Sequence, residues 1–166
     1  MILQTAPLWE VFDGNNHSIT NKITASDVNA DANIALFPYV KGSSTVIKNL
    51  TVKGTSTRGS IVGYLDGNAS VENCISETVI TTSSEDIGGI VCKLKKGYVS
   101  NCKNKGAITS TSNTEGGILG YTNGGSGAID RCINYGNISG RYLVKTKEEV
   151  PLTSVSSVPS VRNLSS

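Results

Sequence analysis

A sugar-cleaving site needs two carboxylates a few ångströms apart, flanking the bond to be broken. Glu72 and Asp130 are the best-matched pair, standing at equivalent places in two copies of a repeated pattern, but Ser100 holds that place in the copy between them. One strand spacing per copy puts them roughly 10 Å apart. Asp66 lies alone in a DGN turn, and Glu85-Asp86 opens a copy without an equivalent pair beside it. No catalytic residue is assigned. The only histidine, His17, has no second ligand near it in the sequence and reads as a turn residue. The four cysteines, Cys74, Cys92, Cys102 and Cys132, form no CxxC, which argues against zinc. Residues 24–33 (TASDVNADAN) carry Asp27, Asn29, Asp31 and Asn33 but lack the central Gly and distal Glu of a calcium loop. The expectation is no metal, no cofactor and no enzymatic activity.

Binding chemistry is better represented. Tyr39, Tyr64, Lys93 and Tyr121 fall in one column of the repeat. Pointing outward, they form an aromatic strip that can stack on sugar rings or anchor a protein interface. Strand parity decides: with Ile61 and Leu65 inward Tyr64 faces out, and the other parity puts Val62 and Tyr64 inside. Lys93, Lys95, Lys96, Lys103 and Lys105 form a basic cluster that would favour an acidic glycan. Its alternative is a solvated lysine face partly paired with Glu77, which stands at the position equivalent to Lys105.

The elements that hold these residues are read from the repeat itself. Residues 34–54, 59–81, 85–109 and 115–139 are four copies of one pattern. Leu36, Ile61, Ile90 and Ile118 align, then Phe37, Val62, Val91 and Leu119; further on come Ile47, Val71, Val99 and Ile129. The next columns are Asn49, Asn73, Asn101 and Arg131, then Leu50, Cys74, Cys102 and Cys132. Steps of 24, 28 and 30 residues between the Asn/Arg positions are those of a stacked array. Short β-branched runs broken by Gly and Asn, with no sustained 3.6 period, make the units strands. Stacking such units in parallel turns apolar columns into a core. Asn49, Asn73 and Asn101 are expected at a corner, because Asn tolerates the left-handed bend that lets apolar residues on either side face inward. Cys74, Cys102 and Cys132 are expected to join them as a structural ladder of buried free thiols, since stacked in-register side chains disfavour the disulfide dihedral.

The segments FDGNNHSI (12–19), IALFPYV, IKNLTVKG, GGIVCKL and GGILGY, with their NC or RC and GNISG-like endings, resemble the GLUG-motif repeat family. The resemblance covers roughly 9–140. It implies a right-handed parallel β-helix in a secreted or surface-exposed bacterial protein, many of whose relatives are large adhesins or peptidase-associated chains. Pro38 and Cys92 replace Gly63 and Gly120 of other copies, and Arg131 interrupts the Asn column, implying local irregularity.

The expected architecture is all-β: a short right-handed parallel β-helix of about four coils. Residues 1–33 form an N-terminal cap and first partial coil, with Trp9 covering the open edge; 34–140 are the repeats; 141–166 are a cap and a Ser/Val/Pro-rich tail. Tyr142–Val144 is a strand candidate within that last segment. A net charge of +2 and the lack of alternating aromatic and basic residues exclude a general nucleic-acid role. No apolar run is long enough to cross a membrane. MILQTAPLWE has neither the charged nor the apolar region of a signal peptide, so a surface location implies a processed form or a piece of a longer chain. The function expected is a structural, display or adhesive module with a glycan or host surface protein as partner. Two alternatives are a carbohydrate-active fragment and an ice binder. The second draws on the hydroxyl-rich stretches Thr55–Thr57, Thr81–Ser84 and Thr109–Thr114, though uneven coil lengths speak against a flat face.

Overall fold

The structure, a computed structural model, describes residues 10–24, 33–112, 115–122 and 124–139, and the backbone of 145–146. Among these residues every paired strand runs parallel to its neighbour, and the fold is a right-handed β-solenoid of about four coils without interior helices. Trp9, the segment around Asp27 to Asp31, Tyr142–Val144 and the tail beyond Val150 lie outside the described residues.

Each coil visits three faces. The first is built from Phe37–Lys41, Val62–Asp66, Val91–Leu94 and Leu119–Thr122, the last paired with Lys145–Thr146. The second stacks Val11–Asp13, Val46–Lys48, Ala69–Glu72, Gly97–Ser100 and Ala128–Asp130. The third, longer face holds Ser18–Ile23, Thr51–Ser56 and Ile75–Thr82, and then the split pairs Lys103–Asn104 with Ile108–Ser110 and Ile133–Asn134 with Ile138–Ser139.

Register agrees with the repeat columns: Phe37, Val62, Val91 and Leu119 stack on the first face, and Ile47, Val71, Val99 and Ile129 on the second. These residues are almost wholly buried and, with Leu36, Ile61, Leu65, Ile90 and Leu94, form the main core. Phe12 continues the second column over Ile47 and meets Phe37 edge-on at 5.0 Å, closing the core at its first turn. Ile80, Ile87, Cys92, Ile108 and Ile138 form a second, smaller cluster.

The bend between the second and third faces is where the Asn column sits. Asn49, Asn73, Asn101 and Arg131 have φ of 54°, 51°, 52° and 49°, all left-handed. Asn73 Nδ2 donates to Asn49 Oδ1 at 3.4 Å, and Asn49 Nδ2 donates to Asp13 Oδ1 at 3.0 Å. Arg131 adopts the same bend although an L side chain without Asn's short amide is strained there; its guanidinium turns to Asp130 at 2.7 Å.

Candidate binding surface

Tyr39, Tyr64, Lys93 and Tyr121 stand in one register column of the first face. Ile61 and Leu65 are both fully buried, and Val62 is buried as well, because the chain enters the coil with two consecutive inward residues. Tyr64 is left half-exposed; Tyr39 is 41% exposed, and Tyr121 is half-buried. The rings of Tyr39 and Tyr64 lie 5.8 Å apart, tilted by 45°. Stacking of the strands therefore carries three Tyr rings and one ammonium along the outside of a single sheet.

The lysines beside this column are paired. Lys93 Nζ lies 3.4 Å from Asp86 Oδ2, with both side chains only about a fifth exposed (22% and 20%). Lys95 reaches Asp66 at 4.0 Å. On the third face Glu77 lies between Lys53 at 3.5 Å and Lys105 at 3.6 Å, in register with Lys53. The basic cluster is thus split between faces, and three of its five members have a carboxylate partner.

Next to Lys93 a cleft is lined by Asn33, Ile34, Arg58, Glu85, Asp86, Ile87 and Cys92. Its origin is a difference in connection length. Ile90 follows Ile80, and Ile118 follows Ile108, by ten positions, whereas Ile61 follows Ser56, the equivalent of Ile80, by five. The longer connections fold back and pair with each other as Ile87–Gly88 and Glu115–Gly116. The short one supplies no such strand, and Arg58 reaches across instead to bond Ser84. Asp86 holds a left-handed φ of 60° in this turn, which aims its carboxylate at Lys93. Cys92 closes the floor: burial pushes its thiol up to about 11, so it is protonated at neutral pH.

All four cysteines are free and buried. Cys74, Cys102 and Cys132 repeat one geometry, each Sγ within 3.3–3.4 Å of the carbonyl two residues back and 3.6–3.8 Å of a carbonyl in the preceding coil. The Cys132 and Cys74 thiols on either side, together with burial, hold Cys102 well above the usual thiol range. His17 is exposed in the first bend. Glu72, Ser100 and Asp130 share a column as the repeat implies, with Ser100 between the two carboxylates. Among the described residues no three His, Cys, Asp or Glu side chains cluster as a metal site. The hydroxyl stretches are not a flat array: Thr81 pairs Thr109, but Thr55 pairs Val79, and Ser56, Thr82 and Ser110 point inward.

One set of structural residues lies outside these readings. Asn104 and Asn134 are buried and stacked, Asn104 Nδ2 donating to Asn134 Oδ1 at 2.7 Å and each amide donating to the carbonyl of the Gly two residues on. The signal was present as NKG (104–106) and NYG (134–136) at the same place in two copies.

No family model matches the chain, and no curated protein matches it. Among solved structures it is similar to a Bacteroides ovatus protein described as a "putative immunoglobulin A1 protease". The TM-score is 0.61 at 22% identity, over 79% of this chain. The chain spans 52% of that protein, about half its length. At this identity the likeness is one of fold.

Proposed function

We propose that this chain is a display and adhesive module of a bacterial cell-surface protein, a GLUG-type β-helix without catalysis of its own, part of a longer extracellular chain. Three things support the reading: the GLUG-like motifs, a solenoid fold shared with a bacterial protein, and the Tyr column. The single observation that carries it is the column. Tyr39, Tyr64 and Tyr121 project from one sheet in register, outside the core, where aromatic side chains serve as anchors for recognition. Its partner is a glycan or a host surface protein.

The test is binding of the purified chain to arrays of glycans and matrix proteins, beside a Tyr64→Ala/Tyr121→Ala variant. The expected result is saturable binding that the variant loses by about tenfold or more, as for an aromatic hot spot. Absence of binding with the fold intact by circular dichroism would leave a scaffold and remove the adhesive role.

A further inference from the structure

Between Tyr64 and Tyr121 the two lysines on the ring face are each ion-paired, whereas Lys41, one coil earlier in register with Asp66, is exposed. Lys93, between Tyr64 and Tyr121, is held by Asp86 at 3.4 Å, and Lys95 reaches Asp66 at 4.0 Å. Asp66 belongs to the same strand as Tyr64, two residues further on, and Lys95 follows Lys93 by two. Two ion pairs therefore flank the rings, and the surface presented beside them carries ammonium and carboxylate together.

We propose that the ligand of this column is an uncharged polysaccharide lying along the solenoid axis, its sugar rings on Tyr64 and Tyr121. The Lys93–Asp86 and Lys95–Asp66 pairs bond its hydroxyls. The inference rests on the adhesive reading above and narrows it. An anionic sugar reaching Lys93 would bring its own negative charge against the Asp86 carboxylate, which lies 3.4 Å from the same ammonium, and that repulsion offsets the attraction between the sugar's charge and the ammonium. A hydroxyl both donates and accepts. It can accept from the ammonium and donate to the carboxylate while the pair stays intact. Geometry fits an extended polymer. Parallel strands repeat at about 4.8 Å, so Tyr64 and Tyr121, two coils apart, offer stacking faces roughly 10 Å apart on one line, with the ammonium midway.

Binding of the full chain to β-1,4-linked glucose and xylose hexasaccharides and to hexagalacturonate, by calorimetry at low and high salt, tests this. The neutral hexasaccharides are expected to bind better than the uronate. Their affinity should change less than about twofold between about 0.05 M and 0.5 M salt, because no net charge is neutralised. Tyr64→Ala/Tyr121→Ala should reduce it at least about tenfold. Asp86→Asn keeps a residue that tolerates the left-handed turn and frees Lys93. This variant should gain several-fold for hexagalacturonate, and that gain should disappear at high salt. Preference of the unmodified chain for the uronate, with strong salt dependence, would overturn the neutral-ligand proposal and leave the adhesive reading standing. Binding to a matrix protein alone would also overturn it. Binding that ignores the Tyr substitutions, or no binding to any ligand, would sink the Tyr-column reading itself.

Discussion

Asn134 occupies the space that a side chain on Gly117 would need. A Cβ on Gly117 would sit 2.3 Å from Asn134 Cγ and 2.4 Å from its Oδ1; one coil earlier Gly89 faces Asn104 at 2.6 Å. At the equivalent positions of the coil before, Ser60 and Ser76 are both buried and bonded to each other at 2.9 Å. Before that, Ala35 and Val52 stand there, both buried. The solenoid thus fills one site three ways in four coils, Gly with Asn twice, Ser with Ser and Ala with Val, the Gly/Asn and Ser/Ser pairs at about equal volume and a large amide only where the facing residue is Gly. Gly117→Ala should lower the melting temperature by an amount worth roughly 1–3 kcal/mol of overpacking. Gly117→Ser with Asn134→Ser, which copies the Ser60/Ser76 pair, should recover most of it, giving a coupling energy well above the additivity error. Additive single effects would contradict the volume exchange.

The left-handed bend makes a second prediction with opposite signs at two positions of one column. Asn73→Ala places a Cβ without the tolerant amide at φ 51° and should destabilise by about 1–2 kcal/mol. Arg131→Asn should stabilise by several tenths of a kcal/mol, because φ 49° is strained for Arg and its exposed pair with Asp130 contributes little. Chemical denaturation of both variants checks the pair.

Thiol reactivity follows from burial. With its thiol pushed up to about 11, Cys92 has about a thousandth of its population as thiolate near pH 8. Cys102 is held higher than usual by its two neighbours in the column. Alkylation followed by mass spectrometry should label none of the four cysteines rapidly in the folded chain and all four in denaturant. Fast labelling of Cys92 in the native state would show that its cleft opens readily.

Acid sensitivity should trace in part to Asp13. The backbone N–H of Asn15, the Asn49 amide and Lys48 hold its carboxyl below the ordinary value of 3.8. A lowered folded value means that the ionised form stabilises the fold above the unfolded value of about 3.9, and that this is lost as pH falls through the folded one. The stability difference between the unmodified chain and Asp13→Asn should be widest near neutral pH, start to close below about pH 4, and vanish in stronger acid. A gap that persists unchanged at low pH would assign the effect to packing.

Much of the fold is legible in the sequence, because a parallel stack places like over like. The columns through Ile61, Val71 and Asn73 had to align if the copies stacked at all, and the Asn at the bend had a conformational reason of its own. The placement of the Tyr column on one face follows from the same register. Periodicity could not say which neighbours meet across the coil. The Asn104 and Asn134 ladder depends on Gly89 and Gly117, which stand in another column. The Lys93–Asp86 pair depends on a connection that folds back only where it is long. Those contacts join positions of different columns, whose distance is set by loop length and packing rather than by the repeat. The sequence by itself determined the solenoid and its register; only the tertiary structure decided which charges cancel beside the Tyr rings.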